Sequence, residues 1–337
     1  MFSWSTTNRP IIALAPMAGV TDAAYRQLIK KLAPEVIVYS EFLSTDAIHY
    51  GAKKTMGMMN FDPKLEHPFI VQVFGKKPEN FLSAAKIVEE MGADGIDINM
   101  GCPAARVTSS CHGSALMRDP ELAAELVRAT KEAVKIPVSV KTRLGWESPD
   151  QLIAFCTKLI EAGADALAIH GRTYAQKYGG EADWEPIYEL KKSVDVPVIG
   201  NGDIRNAQDA VDKIGNLDGV MIGRGTFGNP WIMKDVCEAL KCPTSNVKRL
   251  VSRVVRRWTL DDSSQLIPTI EQLSFEEKIP LILEHCELAV KLKGERRGML
   301  EMRKHLASYV KGIDGAKELR SRLVRVEKVE DVRSLLS

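Results

Sequence analysis

Short apolar runs recur along the first two thirds of the chain, each of strand length and each closed by glycine, proline or charged residues. They fall at 11–16 (IIALAP), 36–42 (VIVYSEF), 69–75 (FIVQVFG), 95–101 (GIDINMG), 137–143 (PVSVKTR), 166–172 (ALAIHGR), 197–203 (PVIGNGD) and 219–225 (GVMIGRG). Between most of them lie segments with apolar residues three and four apart, at 78–91, 120–134, 150–162 and 207–214, which predict amphipathic helices. Eight such strand–helix units predict a closed (β/α)8 TIM barrel. An open doubly wound sheet usually has fewer strands and wants GxGxxG after the first, where this chain has PMAGVTD at 16–22.

Beyond residue 240 the pattern changes. The run 291–325 predicts helices joined near Gly312 to Gly315, so the barrel, at 1–240, is expected to be followed by a smaller all-α domain at 241–337. Charge divides at the same place. The net +2 of the chain resolves into 20 basic against 14 acidic residues in 241–337, and 26 against 30 before it. Within 291–325 the count is 11 against 4, a face suited to phosphates, although a solvated helical surface has the same composition. The acidic, polar segment 259–278 carries no functional reading.

With 337 residues, 45% of them hydrophobic, the chain is long enough for a full barrel core and the extra helices. No apolar stretch approaches bilayer length and the amino terminus lacks a signal-peptide core, so a cytoplasmic, monomeric enzyme without a membrane partner is expected. The six cysteines show neither a CxxC pair nor dense regular spacing, so no metal and no disulfide framework is expected.

Chemistry gathers at the ends of the predicted strands. In 95–101 the apolar Ile96, Ile98 and Met100 alternate with Asp97 and Asn99, and pairing stops at Gly101 and Pro103. Cys102 is thereby held at a strand-to-loop junction, where parallel barrels place catalysis and where a thiol can deliver a proton or attack an electrophile. Lys141 lies between Val140 and Thr142, with Arg143 on the same face, and a lysine is costly to bury unless an anion meets it. His170 and Arg172 follow, then Asn201, Gly202 and Asp203, then Gly223, Arg224 and Gly225. Glycine-rich ends of the last two strands are where barrels bind phosphate, which points to a phosphorylated cofactor across the mouth. Taken singly each residue has a plainer reading: a turn at Gly223 and Gly225, an ion pair between Lys141 and Glu41, a core histidine at 170, inert thiols at Cys111 and Cys156. Their convergence on one face outweighs those readings.

In order along nearly the whole chain, APMAGVTD (15–22), VQVFG (71–75), DINMGCPA (97–104), GSAL (113–116), VKTRLGW (140–146), IHGRT (169–173), GNGDI (200–204), MIGRG (221–225), NPW (229–231), MRKHLASYVKG (302–312) and GAKELR (315–320) resemble the flavin-dependent tRNA-dihydrouridine synthases. The bacterial B-type branch is the most similar. The resemblance implies FMN, with Pro16, Met17 and Ala18 along the isoalloxazine, Gln72 at its pyrimidine edge, Lys141 near N1 and the C2 carbonyl, and His170 as a further contact. Asn201, Gly202 and Asp203, with Gly223 and Arg224, would hold its phosphate. The implied reaction reduces the C5–C6 double bond of specific uridines in tRNA at the expense of NADPH or NADH, with hydride passing from flavin N5 to C6 and a proton from Cys102 to C5. A thiol, with a reference pKa of about 8.5, stays largely protonated at neutrality and suits that step.

The target uridine must leave the stack, at a cost of a few kcal/mol. Arg296, Arg297, Arg303, Lys304 and Lys311 are expected to offset that cost through phosphates, with Arg172 nearer the base and the segment from Cys102 to Gly113 closing over it. Cys111 stands near enough in sequence to pair with Cys102 under oxidation. Three other functions compete. A dihydroorotate or dihydropyrimidine dehydrogenase acting on a free pyrimidine needs no basic carboxyl-terminal face, and an RNA-binding module without catalysis needs no Lys141, Cys102 and Arg224 set. A synthase acting on ribosomal RNA is a milder variant that the sequence alone does not exclude.

Overall fold

The computed structural model describes residues 2–103, 112–241 and 274–337. Among the described residues nine strands form: β1 (Ile11–Leu14), β2 (Val38–Tyr39), β3 (Leu43–Ser44), β4 (Phe69–Phe74), β5 (Gly95–Met100), β6 (Val138–Arg143), β7 (Ala166–His170), β8 (Val198–Asn201) and β9 (Gly219–Ile222). All neighbours are parallel, in the order β1-β9-β8-β7-β6-β5-β4-β2, with β3 also on β4. A bridge between Ala13 and Ile37 joins the two ends, with Leu14 N donating to Ile37 O at 2.9 Å and Ile37 N to Ile12 O at 2.9 Å. The result is the (β/α)8 barrel that the strand repeat predicts. One predicted strand is split: at Ser40 the side-chain Oγ accepts the Gln72 amide at 2.9 Å, and the ladder resumes only at Leu43 opposite Val73.

Helices α1 (Ala23–Leu32), α2 (Thr45–His49), α3 (Lys53–Met58), α4 (Pro78–Glu90), α5 (Pro120–Ala133), α6 (Leu152–Glu161), α7 (Glu185–Ser193), α8 (Ala207–Ile214) and α9 (Ile232–Lys241) surround the strands. Proline opens α4 and α5, where its missing N–H costs nothing, and Asp119 caps α5 by accepting the Leu122 amide at 3.1 Å. After α9 come α10 (Phe275–Lys293), α11 (Glu295–Tyr309), α12 (Ala316–Leu323) and α13 (Val329–Leu336). A capping box of Ser274 and Glu277 starts α10 inside the acidic segment; its part at 259–273 lies outside the described residues, as do Cys111 and most of the expected closing loop.

Each barrel strand is buried on both faces. Ile12, Leu14, Ile96, Ile98, Leu167 and Ile169 pack with the apolar stripes of the helices, whereas Ile11, Ala13, Ile70, Ala166, Ala168, Ile199 and Met221 fill the interior with Trp4. Period two then sends Gln72, Asp97, Asn99, Ser139, Lys141, Arg143, His170 and Asn201 inward as well, toward the carboxyl end of the barrel.

Helices α10 to α13 share a second apolar cluster, including Ile282, Met299, Met302, Leu306 and Leu323, to which Ala24 of α1 and Trp231 contribute. Tyr25 of α1 is fully buried at this seam. Its ring centroid lies 5.3 Å from that of His305 and 5.4 Å from that of His285, and its hydroxyl donates to Thr226 O at 2.5 Å. Lys293 joins the Asp22 cap of α1 to Glu301 of α11, and Glu301 also accepts from Arg297 at 2.9 Å. Among the described residues, no helix is long and apolar enough to cross a membrane.

Candidate active site

At the carboxyl ends of the strands a cavity of about 460 Å³ opens. Of the residues singled out in the sequence, Pro16, Met17, Gln72, Cys102, Lys141, His170, Arg172, Asn201, Gly202, Asp203, Gly223 and Arg224 line it; Ala18 is exposed and outside the lining.

The thiol arm is built on β5. Asn99 Oδ1 accepts the amides of Gly101 (3.1 Å) and Cys102 (3.0 Å), while Arg143 Nε donates to Gly101 O at 2.7 Å. Cys102, half-buried, is thus fixed through its own amide and the preceding carbonyl. Behind it, Asn99 Nδ2 donates to Gln72 Oε1 (2.8 Å), Gln72 Nε2 to Asp97 Oδ2 (2.7 Å) and Ser139 Oγ to Asp97 Oδ1 (2.6 Å). Burial raises the Asp97 carboxyl to about 6 against the pull of those hydrogen bonds and of Lys141. Arg143 also donates to Thr173 O (3.1 Å) and Lys177 O (2.7 Å). Asn99 and Asp97 were not singled out in the sequence as site residues; the available signal was a polar residue at every second place along 97–101.

Lys141 Nζ donates to Asn201 Oδ1 at 3.0 Å, and Asn201 Nδ2 to Met221 O at 2.7 Å. Glu41, the plainer partner for this lysine, instead accepts the Gly19 amide. Burial, then the charge of Arg143, lowers the Lys141 ammonium to about 8. His170 is held neutral, far below the usual imidazole range, by burial first and then by Lys141 and Arg143. Its Nδ1 is buried without a partner among the described residues. This side of the cavity therefore offers cationic and polar groups that the chain itself leaves underused.

Next to this side the chain turns sharply through Gly202 (φ +134°) and Asp203 (φ +48°), a left-handed corner at the end of β8. The Asp203 carboxylate accepts from Arg172 Nη2 (2.6 Å), the Ala182 amide (2.8 Å) and Arg224 Nη2 (3.4 Å). Arg172 is 1% exposed and set in the cavity wall, and its Nη1 has no partner among the described residues. Arg224 is half open to solvent, and Tyr178, another residue not singled out in the sequence, lies beneath its guanidinium and that of Arg143, at 5.3 and 5.5 Å from the ring centroid.

The basic residues of the helical region divide. Arg296, Lys304 and Lys311 are exposed; Arg297 is exposed but paired with Glu301. Arg303 is half-buried and donates to Val326 O (3.1 Å) and Arg325 O (3.4 Å), tying α11 to the connection between α12 and α13. No group of three or more histidine, cysteine, aspartate or glutamate residues fit to hold a metal occurs among the described residues.

The model of the family described as Dihydrouridine synthase matches residues 13–337. A Synechocystis sp. protein named "Probable tRNA-dihydrouridine synthase 1" is 35% identical over 335 residues, 98% of this chain and 87% of its own. The "tRNA-dihydrouridine synthase B" of Pseudomonas aeruginosa is 35% identical over 331 residues, covering 97% and 91%. Among solved structures, a 2-naphthoyl-CoA reductase in complex with 2-naphthoyl-CoA matches with a TM-score of 0.52 at 14% identity, over 67% of this chain and 50% of that one, a likeness of fold alone.

Proposed function

The chain belongs to the dihydrouridine synthase family and is an oxidoreductase, and on that premise we propose that it reduces the C5–C6 double bond of particular uridines in tRNA, with FMN held in the barrel mouth and NADPH or NADH as reductant. The observation that carries the reading is Lys141. A half-buried lysine whose ammonium is lowered to about 8, meeting one neutral carboxamide at 3.0 Å, calls for an electron-rich partner from outside the chain. The N1–C2 edge of an isoalloxazine, which gains negative charge on reduction, is such a partner.

The rest of the wall fits the same group. Met17 and Pro16 give an apolar flank, and the partnerless Nδ1 of His170 supplies a hydrogen-bonding position. The corner at Gly202 and Asp203, Gly223, Arg224 and the unspent Nη1 of Arg172 suit a phosphate. When bound, this cofactor supplies a hydride to C6 of the uracil. Cys102 holds the proton destined for C5, and Asn99 and Arg143 fix where it stands. Residues 1–240 would act as the catalytic unit and 241–337 as the part that grips RNA, which favours tRNA over a free pyrimidine as substrate.

The test is purification followed by RNA mapping. The protein should be yellow and release FMN on heating. A strain lacking the gene should lose dihydrouridine at defined tRNA positions, and Cys102→Ala should not restore it, with product formation in vitro falling by about 10²–10⁴-fold while the colour is retained. A colourless protein that takes up no FMN overturns the reading.

A further inference from the structure

One turn of α11 lies against the rim of the barrel mouth, on the loops that follow the neighbouring strands β1 and β9. A Cβ at Gly228, past β9, would stand 2.5 Å from Ser308 O, and a Cβ at Gly19, past β1, would stand 2.9 Å from Lys304 Nζ. Both glycines have positive φ, +81° and +70°, so each loop carries the residue type that permits the turn and the close approach together. Lys304 and Ser308 are four residues apart and share one face of the helix. Phe227, next to Gly228, meets the His305 ring at 5.3 Å between centroids and holds the same turn of α11 in place.

Gly19 belongs to the tight turn by which the chain leaves the cavity wall. Met17 lines the cavity, and Val20 N and Thr21 N donate back to Met17 O at 3.0 and 3.1 Å. Two residues span at most about 7 Å, so the Lys304 ammonium stands within about 12 Å of the Met17 Cα. Charge beside it is spent inside the protein. Arg297 donates to Glu301, Lys293 joins Glu301 to Asp22, and Glu41 has its Oε1 committed to the Gly19 amide. Lys304 is exposed, and its ammonium has no hydrogen bond or ion pair among the described residues. It is left as a compact positive charge with three donors for a ligand.

A nucleotide turned out of its stack puts its base into the mouth, while the strand continues outside on either side of it. The phosphates flanking that nucleotide therefore lie at the rim. We propose that Lys304 holds a phosphate directly flanking the target uridine, so that α11 grips the nucleotide whose base is reduced. The proposal rests on the RNA-reducing reading above and adds to it the point on the strand at which one cation acts. Gly19 and Gly228 gain a purpose on this view: they let α11 come close enough to deliver that cation to the mouth.

The experiment uses the full-length holoprotein and synthetic RNA with one neutral methylphosphonate, placed at the 5′ phosphate of the mapped uridine, at its 3′ phosphate, or in the distal stem. On unmodified RNA, Lys304→Met should lower kcat/KM about tenfold, and Lys304→Arg, which keeps the charge, should restore most of it. With one of the two flanking phosphates neutralised, Lys304→Met should cost nothing further; with the distal one neutralised it should again cost about tenfold. No loss on any RNA, or an equal loss on all of them, overturns the proposal, and a folding defect would show as the latter. A rise in KM for NADPH with the RNA constants unchanged also overturns it, giving the ammonium to a phosphate of the reductant. Failure of the wild type to reduce unmodified RNA is a different result, and it counts against the underlying function.

Discussion

The ammonium of Lys141 makes a measurable contribution of the wrong sign to the flavin-free fold. Its pKa falls from 10.5 unfolded to about 8 folded, so the unfolded chain binds more protons between those values. The cost is fully present below about pH 8 and disappears as pH rises to about 10.5. Lys141→Met should therefore raise the Tm of flavin-free protein at pH 7, lose that advantage by pH 10.5, and weaken FMN binding; thermal melts across pH with a flavin titration check all three. Asn99 answers to a different logic. Asn99→Ala strands the Gly101 and Cys102 amides and one end of Gln72, at about 1–3 kcal/mol for each buried group left unpaired. Turnover should drop and the flavin spectrum should shift with it, since the thiol and Gln72 on the cofactor wall both lose a fixed position. Cys102 was legible in the sequence because it stands where a strand gives way between Gly101 and Pro103, and Lys141 because it is out of place in an apolar strand. Asn99 and Asp97 were not, because polar residues at every second position also describe a sheet with one wet face, and only barrel closure buries both. Arg172 was legible as a residue of the barrel mouth, but its partner was not: Asp203 comes from the end of the neighbouring strand.

At the level of elements, α1 is the joint between the barrel and the added helices. Asp22 caps it, lies against Lys293 and is lowered to about 2, burial opposing and the lysine prevailing; its contribution is present above about pH 3.8 and lost as pH falls through about 2. His285 gives way earlier. Burial lowers it from 6.5 to about 4, so stability there is complete above pH 6.5 and declines toward pH 4, as the neutral ring must take a proton. His305, also lowered by burial, faces the same aromatic cage of Tyr25, Phe227 and His285, near Asp22, Lys293 and Lys304. Neither of its ring nitrogens has a partner among the described residues. His305→Phe should keep the stacking, add about 1 kcal/mol, and shift the acid loosening of the seam to lower pH, read from Trp231 fluorescence. Lys293→Met leaves two carboxylates facing each other and should cost about 3 kcal/mol. Helices opened by proline were legible to a residue or two. The strand at 36–42 was overextended because Ser40, a side chain, takes over a ladder position that spacing cannot reveal; α2 and α3 are too short to show a stripe.

For the whole molecule, the separation of charge between the two parts of the chain was plain from counting, but the duties of individual residues were not. Arg303 is tied to backbone carbonyls, so reversing its charge damages the fold of the helical region and tests nothing about RNA. Arg296 and Lys311 are exposed and have no side-chain hydrogen bond or ion pair among the described residues, so Arg296→Ala and Lys311→Ala should each lower the slope of log K against log salt by about 1, with FMN content unchanged, in filter binding across salt concentrations. Order along the chain made the barrel visible; which cations face outward depends on packing between helices that lie far apart in sequence.

Tyr25 spans the distance between these scales. Its hydroxyl hangs from the Thr226 carbonyl, two residues past Arg224, while its ring rests on the histidines of α10 and α11. On the proposed function, occupancy of the phosphate loop and engagement of the nucleic acid would bear on one shared support, and thermodynamic reciprocity would make any coupling mutual: whatever factor the prosthetic group adds to RNA affinity, RNA returns to retention of the prosthetic group.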